Sequence, residues 1–162
     1  MSRRKGIHPE QYAGVYQRYD EIPERYRLET YASQYEGEDT WQEYVDDVLV
    51  PTHEPVSNSM QKSIRLAGES WREHMDNRER HHALARPVDA EAWCRDLFDG
   101  RSKKTCYEHY FVRIYQFYDH MVQTSGHPHV YNPLLLAAIE HDYAEQVWRY
   151  RIENRPEVVD RE

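Results

Sequence analysis

The stretch from residue 102 to residue 121, SKKTCYEHYFVRIYQFYDHM, carries the most regular helical pattern in the sequence. Ser102 stands at its start, where a side-chain N-cap is expected. Apolar side chains then recur at helical spacing, which places them on one face of an amphipathic α-helix. This apolar face comprises Tyr107, Tyr110, Phe111, Ile114, Phe117, Tyr118 and Met121. The stretch therefore predicts a helix that packs its aromatic face into a protein core.

Two further helices are predicted upstream of this stretch. The first has Asp39 or Thr40 as its N-cap and ends at Pro51, because proline cannot continue the hydrogen-bond ladder. The second begins in the cluster 57–59, SNS, which offers three N-caps, and closes in the polar run 76–80. Their apolar faces are formed by Trp41, Tyr44, Val45, Val48 and Leu49, and by Met60, Ile64, Ala67, Trp71 and Met75.

One short helix precedes the central stretch and one helix follows it. Val88, Asp89 and Trp93 have the N′, N-cap and N4 spacing of a hydrophobic staple, so Asp89 is the expected N-cap, and Gly100 stops the helix. Downstream, Asn132 as N-cap and Pro133 at the first helical position open a helix that is expected to run to about Arg151 as a charged extension. With no strand pattern, the expected fold is all-α, a compact bundle of four to five helices with an N-terminal helical extension.

Length and composition indicate the size of the domain and the cellular location of the protein. The chain has 162 residues, enough for one domain with a core, and 14 Tyr, 4 Trp and 3 Phe supply large buried areas. No apolar run of about 18 residues is present, and residues 1–6 lack the apolar stretch of a signal peptide. The prediction is a cytoplasmic protein without membrane partners. Cys94 and Cys106 are too few for a zinc site and are expected to be reduced packing residues.

The net charge of −8 argues against nucleic acid as a partner, but the charge is unevenly distributed. Residues 1–55 hold 6 basic and 12 acidic side chains, and residues 138–162 hold 4 and 7. Residues 56–137 hold 11 basic and 10 acidic side chains, so the acid is concentrated in the flanks. Arginines number 17 against 4 lysines, and this lysine-poor, acidic composition is typical of organisms with high internal salt.

Ten histidines raise the possibility of a metal site. His127 and His129 have a spacing that can chelate, and together with His141 they define a less favoured hypothesis of a metal-dependent enzyme. No cluster of cysteines or carboxylates completes a ligand set near them. No glycine-rich phosphate loop or nucleophile elbow is present either. We therefore expect no metal, no cofactor and no catalytic residues.

Lysine placement points to a different ligand. Lys62 lies near the predicted start of the second helix, and Lys103 and Lys104 lie at the start of the helix that follows Ser102. A helix N-terminus presents free N–H groups and the positive end of the helix dipole, so lysines there form an anion site. Phosphate is the anion that such a site suits best.

Residues 57–137 resemble a known family in the order of their features. An aromatic near the end of a first helix (SWREH, 70–74) is followed by a short helix (PVDAEAWCRDL, 87–97) and a Ser-x-x-Thr helix start (RSKKT, 101–105). An aromatic pair (IYQFYDH, 114–120) and a closing Asn-Pro (NPL, 132–134) complete the order. This order is similar to the core-binding, SAM-like domain of tyrosine recombinases and phage integrases. The loop HPHVY at 127–131 looks like haloarchaeal members of that group.

The resemblance implies an organisation and a set of DNA-binding residues. Residues 1–55 would be an acidic, tyrosine-rich extension, 56–137 the core-binding-like domain, and 138–162 a charged C-terminal helix or tail. In the family, helices of this domain lie across the major groove of double-stranded DNA. Backbone contacts would come from Ser57, Ser59, Lys62 and Arg65 and from Arg101, Ser102, Lys103, Lys104 and Thr105, and base contacts from His109 and Arg113.

The resemblance also implies that the chain is not an enzyme. The family's catalytic domain supplies an Arg, a His-x-x-Arg motif and a nucleophilic Tyr, and no histidine of this sequence has Arg three positions later. A tyrosine without clustered Arg and His is not an activated nucleophile. The favoured hypothesis is a non-catalytic DNA-binding protein tied to DNA integration or recombination, in a mobile element or virus. The alternative is a module that binds a recombinase partner, or itself, without contacting DNA.

Overall fold

The computed structural model describes residues 8–153, which form helices and turns and contain no strand. The α-helical segments are α1 (Ala32–Tyr35), α2 (Thr40–Tyr44), α3 (Val50–Thr52), α4 (Asn58–Asn77), α5 (Pro87–Leu97), α6 (Lys103–Thr105), α7 (Val112–Gln123), α8 (Pro133–Glu140) and α9 (Asp142–Glu153). π-helical turns at Val45–Leu49 and Cys106–Phe111 join α2 to α3 and α6 to α7. The described residues therefore form seven helices, more than the four to five expected, and the expected all-α class is confirmed.

The central stretch folds as its pattern predicts. The Ser102 side chain accepts a hydrogen bond from the Thr105 backbone N–H at 3.2 Å and caps the continuous helix over 103–123. Its apolar face is buried from Tyr110 to Met121, whereas Tyr107 is half-buried. The π turn adds a residue to one helical turn, so both the aromatic side chains before it and those after it face the core.

The helices over 40–52 and 58–77 also match the sequence pattern. Asp39 caps the first by accepting from the Gln42 N–H at 3.1 Å, and Ser57 caps the second by accepting from the Met60 N–H at 3.1 Å. Pro51 does not end the first helix, which continues to Thr52. The helix extends only one residue past the proline, and the His53 N–H closes its last turn on the Leu49 and Val50 carbonyls at 3.2 Å, so the proline removes a single N–H from the ladder.

Residues 8–38 lie along the bundle as a series of short turns. Four 3₁₀ turns, at Pro9–Tyr12, Tyr19–Glu21, Glu24–Tyr26 and Leu28–Tyr31, precede α1. Ile22, Leu28 and Tyr35 are buried, and the Leu28 N–H donates to the Tyr131 hydroxyl at 2.9 Å. The segment therefore shares its buried surface with the helices, and one continuous core runs from Ile22 to Ile152.

Tryptophans occupy the middle of this core. All four are at most 2% exposed, and Trp71 meets Trp93 edge-to-face at 4.9 Å. The indole N–H of Trp71 donates to the His82 carbonyl at 2.8 Å, and that of Trp93 donates to the Ser70 hydroxyl at 3.0 Å. These bonds satisfy the polar edge of each ring, as burial of tryptophan requires.

The prediction that Asp89 is an N-cap is wrong. Helix α5 begins at Pro87 with Arg86 as N-cap, which puts Asp89 at the third helical position. Pro87 takes the first position because proline has no N–H to leave unpaired there. The Asp89 carboxylate is instead fully buried and accepts from the Arg86 N–H at 2.8 Å, in the manner of a capping-box acid.

The prediction of one helix from Asn132 to about Arg151 is also wrong. The backbone is extended at His141, which separates α8 from α9. Glu91 of α5 explains the break, because its carboxylate oxygens accept from the Tyr143 and Ala144 N–H groups at 2.9 Å each and cap α9. Helix α8 is not a charged extension, since residues 133–138 are all buried.

Substitution of Gly68 by alanine tests the packing of α2 on α4. A Cβ atom at Gly68 would overlap the indole ring of Trp41. We expect this overpacking to lower the free energy of unfolding by about 2 kcal/mol, even though alanine favours a helix by about 1 kcal/mol. Urea denaturation followed by tryptophan fluorescence measures the change.

Gly126→Ala is the matched control for this substitution. No atom lies within 4 Å of a Cβ added at Gly126, so we expect a change within about 0.5 kcal/mol. Equal unfolding midpoints for the two variants would contradict the close contact between Gly68 and Trp41.

Candidate nucleic-acid interface

The two helix starts singled out by the sequence are both exposed. The hydroxyls of Ser57 and Ser102 act as N-caps, and the Ser59 hydroxyl oxygen lies 3.4 Å from that of Ser57. Thr105 is half-buried and its hydroxyl lies 3.3 Å from that of Ser102. Both serine side chains therefore hold the local backbone in the conformation that presents free N–H groups.

The structure places these two helix starts on one antiparallel helix pair. The Arg113 guanidinium donates to the Ser63 hydroxyl at 3.3 Å, close to the start of α4. Arg101, in contrast, lines a cleft with Ser70 and Asn77 in the second half of α4. Arg113 lies ten residues after Lys103, which corresponds to about 15 Å along the helix. The two helix starts are therefore separated along the pair rather than joined in one site.

The lysines on this pair are free of ion pairs. Lys62, Lys103 and Lys104 are exposed, and none makes an ion pair within residues 8–153. Their ammonium groups sit on flexible stems with full access to solvent. These three residues are thus available to an external anion without breaking a contact of the fold.

The predicted arginines differ from the lysines in this respect. Arg65 pairs with Glu69 at 3.7 Å, one turn along the exposed face of α4. Arg101 donates to the Leu97 carbonyl at 3.3 Å and lies 4.9 Å above the ring of Tyr110. Arg113 is half-buried, and this burial lowers its pKa, though a guanidinium stays charged. His109 is exposed on the π turn between Arg101 and Arg113.

Arginines elsewhere hold the fold together, a partition that the sequence did not reveal. Arg78 and Arg80 contact the buried Asp89 at 2.6 and 2.9 Å, and Arg72 lies 3.3 Å from Asp39. The two residues of each ion pair lie nine or more positions apart in the sequence, so counts of charged residues could not identify the pairs. All eight arginines of residues 56–137 have an ion pair or a hydrogen bond within the described residues, so the three lysines are the basic side chains of this stretch that remain unengaged.

Two of the three histidines of the metal hypothesis, His127 and His129, are occupied by other contacts. The rings of His127 and His129 lie 5.6 Å apart, while His141 lies at the junction of α8 and α9. His127 Nδ1 is 2.6 Å from the Tyr35 hydroxyl, and His129 Nε2 donates to the Ala83 carbonyl at 2.7 Å. In the part of the chain that the structure describes, no three potential ligands converge on a point.

The two cysteines bear on the predicted chemistry. Cys94 and Cys106 are buried free thiols, and burial raises the pKa of both, so neither is an activated nucleophile.

None of the helices within residues 8–153 is long and apolar enough to span a bilayer.

Comparisons of the chain with models of protein families, with curated proteins and with solved structures give no match.

Proposed function

We propose that this protein is a non-catalytic DNA-binding protein that acts in DNA integration or recombination, or in its regulation. The observation that carries the proposal is the partition of basic side chains on the α4 and α6–α7 pair. Lys62, Lys103 and Lys104 are free for an external anion, whereas most arginines serve the fold. The helix order that resembles a SAM-like core-binding domain supplies the link to recombination.

The geometry suits contacts to two separate phosphates. Each helix start combines free backbone N–H groups with at least one lysine, which is the arrangement that binds phosphate at helix N-termini. Lys62, beside Ser63, and Lys103 lie about 15 Å apart along the pair, which is comparable with the width of the major groove, about 12 Å. In this arrangement one lysine of each helix contacts each side of the groove.

Side chains between the two helix starts would then face the bases. His109 is the most exposed of the predicted base contacts, whereas Arg113 is already bonded to Ser63. Phosphate contacts determine position and affinity, and base contacts determine sequence preference. The lysines would therefore position the protein on the DNA, and His109 would determine its sequence preference.

Reversal of two lysine charges tests the proposal. We expect Lys103→Glu/Lys104→Glu to weaken binding of a short mixed-sequence duplex at least about tenfold, because two phosphate contacts become repulsive. Fluorescence anisotropy over a salt series measures both the affinity and its salt dependence. The slope of log K against log salt should fall by about 2.

A charge-matched variant separates a local site from net charge. Arg18→Glu/Arg95→Glu changes the net charge by the same amount at two exposed positions outside the proposed interface. We expect it to retain most of the affinity. Equal losses in the two variants would contradict the site, and an absence of duplex binding by the wild type together with DNA-independent oligomers would favour the interaction-module alternative.

A further inference from the structure

A single residue separates α8 from α9. His141 has an extended backbone, at φ −131° and ψ 156°, whereas its two neighbours, Glu140 and Asp142, belong to the helices. The helical hydrogen bonds of His141 itself are present: its N–H donates to the Ala137 carbonyl at 2.8 Å, and its carbonyl accepts from the Glu145 N–H at 3.2 Å. A change in the backbone angles of this one residue would therefore join the two helices.

The local sequence favours a continuous helix across this break. Residues 137–146, AAIEHDYAEQ, contain neither glycine nor proline, the two residues that most oppose a helix. In a continuous helix the N–H groups of residues 142–144 would donate to the carbonyls of residues 138–140. The bent arrangement gives up these three hydrogen bonds, so it depends on interactions from elsewhere in the fold.

Glu91 of α5 supplies the main replacement. Its two carboxylate oxygens accept from the Tyr143 and Ala144 N–H groups at 2.9 Å each. The negative charge of the carboxylate also lies at the positive end of the α9 dipole. One side chain from a different helix therefore satisfies two of the three N–H groups that the break leaves unpaired.

The remaining contacts of α9 can be made equally well by the same helix of another copy. Ala144, Val147, Trp148 and Ile152 bury the apolar face of α9 against the bundle. An identical helix from a second chain would fill the same position with the same contacts, which is why exchange of an element between copies is a low-cost route to a dimer. The balance between monomer and exchanged dimer then depends on the hinge and on the entropy of association.

We propose that two copies of this chain exchange α9, with His141 as the hinge and the Glu91 cap as the interaction that favours the monomer. In the exchanged dimer each chain has one helix over 133–153, about 31 Å long. The Tyr143 and Ala144 N–H groups then bond within that helix, and the Glu91 carboxylate is not needed to cap them. The exchange does not depend on the proposed binding of DNA.

Two substitutions move this equilibrium in opposite directions. Glu91→Ala removes the cap, and because both chains lose it, we expect the association constant of the dimer to rise about a hundredfold, or about tenfold per chain. Asp142→Pro favours the monomer instead. Proline suits the first position of α9, and it disfavours a helical backbone at the preceding residue, His141. Glu91→Ala/Asp142→Pro should therefore remain monomeric.

Size-exclusion chromatography with light scattering measures the populations, on the whole chain brought to equilibrium at micromolar to millimolar concentrations. Asp96→Ala removes an exposed acid from the same helix as Glu91 and should leave the distribution as in the wild type. A Glu91→Ala protein that stays monomeric over the whole range would overturn the proposal. A dimer of that variant that persists when Asp142→Pro is added would overturn it as well.

Glu91→Gln covers the case in which Glu91→Ala fails to fold. Glutamine keeps one acceptor oxygen of the two, so the association constant should rise about tenfold rather than a hundredfold. An association constant equal to that of the wild type in this variant contradicts the role of the Glu91 cap, and with it the exchange.

Discussion

Replacement of Asp89 by asparagine is expected to destabilise the protein by about 3 kcal/mol. The Asp89 side chain is completely buried and contacts the guanidinium groups of Arg78 and Arg80 at 2.6 and 2.9 Å. It also accepts from the Arg86 N–H, so one carboxylate joins the end of α4, the following turn and the start of α5. Removal of one partner from a buried ion pair costs about 3–5 kcal/mol.

The lower end of that range applies here because the arginines keep some access to water. The side chains of Arg78 and Arg80 are 34% and 29% exposed, so both can be hydrated after the carboxylate is lost. Asparagine also retains an oxygen that can accept from the Arg86 N–H. Urea denaturation of wild type and variant at neutral pH gives the difference in unfolding free energy.

Asp96→Asn on the same helix is the control for this prediction. The Asp96 side chain is 63% exposed and pairs at 3.5 Å with Arg95, which is 58% exposed, so its loss should cost no more than about 0.5 kcal/mol. If the two substitutions lowered stability equally, Asp89 would not be the central ion-pair acceptor of the fold.

Local pattern was sufficient for the parts of the fold that local interactions determine. The helix over 103–123 was predictable because its N-cap directly precedes its first turn and because its apolar spacing repeats without interruption. The same reasoning limited two other caps to Asp39 or Thr40 and to residues 57–59, and the caps in the structure are Asp39 and Ser57. The π turn at 106–111 escaped prediction because the apolar spacing across it still matches an ordinary α-helix.

Contacts between distant residues explain the errors. Glu91 caps α9 from a position more than fifty residues earlier in the chain, so the break at His141 has no nearby signal. Asp89 has the sequence context of an N-cap, and only the arginines that converge on it in three dimensions show its actual role. Both cases involve an acidic side chain whose partner is defined by tertiary packing.

The same distinction between local and tertiary interactions applies to the lysines and the arginines of the candidate site. Lysine placement at helix starts was visible in the sequence, because it depends only on helix boundaries. The engagement of Arg101 with Tyr110 and of Arg113 with Ser63 was not visible, since both contacts depend on how the helices pack. Scarce lysine is thus a better sequence marker of available charge in this protein than abundant arginine.

Acid is expected to unfold the protein through two buried histidines. His82 Nε2 accepts from the Trp41 N–H at 3.0 Å, which requires an unprotonated nitrogen. His129 donates from Nε2 to the Ala83 carbonyl, while its Nδ1 is buried without a partner. Protonation would place an N–H against an N–H in the first ring and bury an unpaired charged donor in the second.

Burial lowers the pKa of His82 to about 3 and that of His129 to about 4, from an ordinary value of 6.5. Because the pKa of each folded-state imidazole lies below its unfolded value, the neutral ring stabilises the fold fully above pH 6.5. That stability is lost as the pH falls from 6.5 towards about 4. At pH 5 the two residues together should remove about 4 kcal/mol, a large part of the stability of a typical domain.

Unfolding free energies measured by urea between pH 7.5 and pH 5 test this expectation. His129→Gln keeps an N–H donor for the Ala83 carbonyl but does not titrate, so it should remove about half of the acid-induced loss. His109→Gln, at an exposed position, should leave the pH dependence as in the wild type. A pH profile that His129→Gln does not flatten would mean that the acid sensitivity arises elsewhere in the chain, because no other change in that variant alters a titrating group.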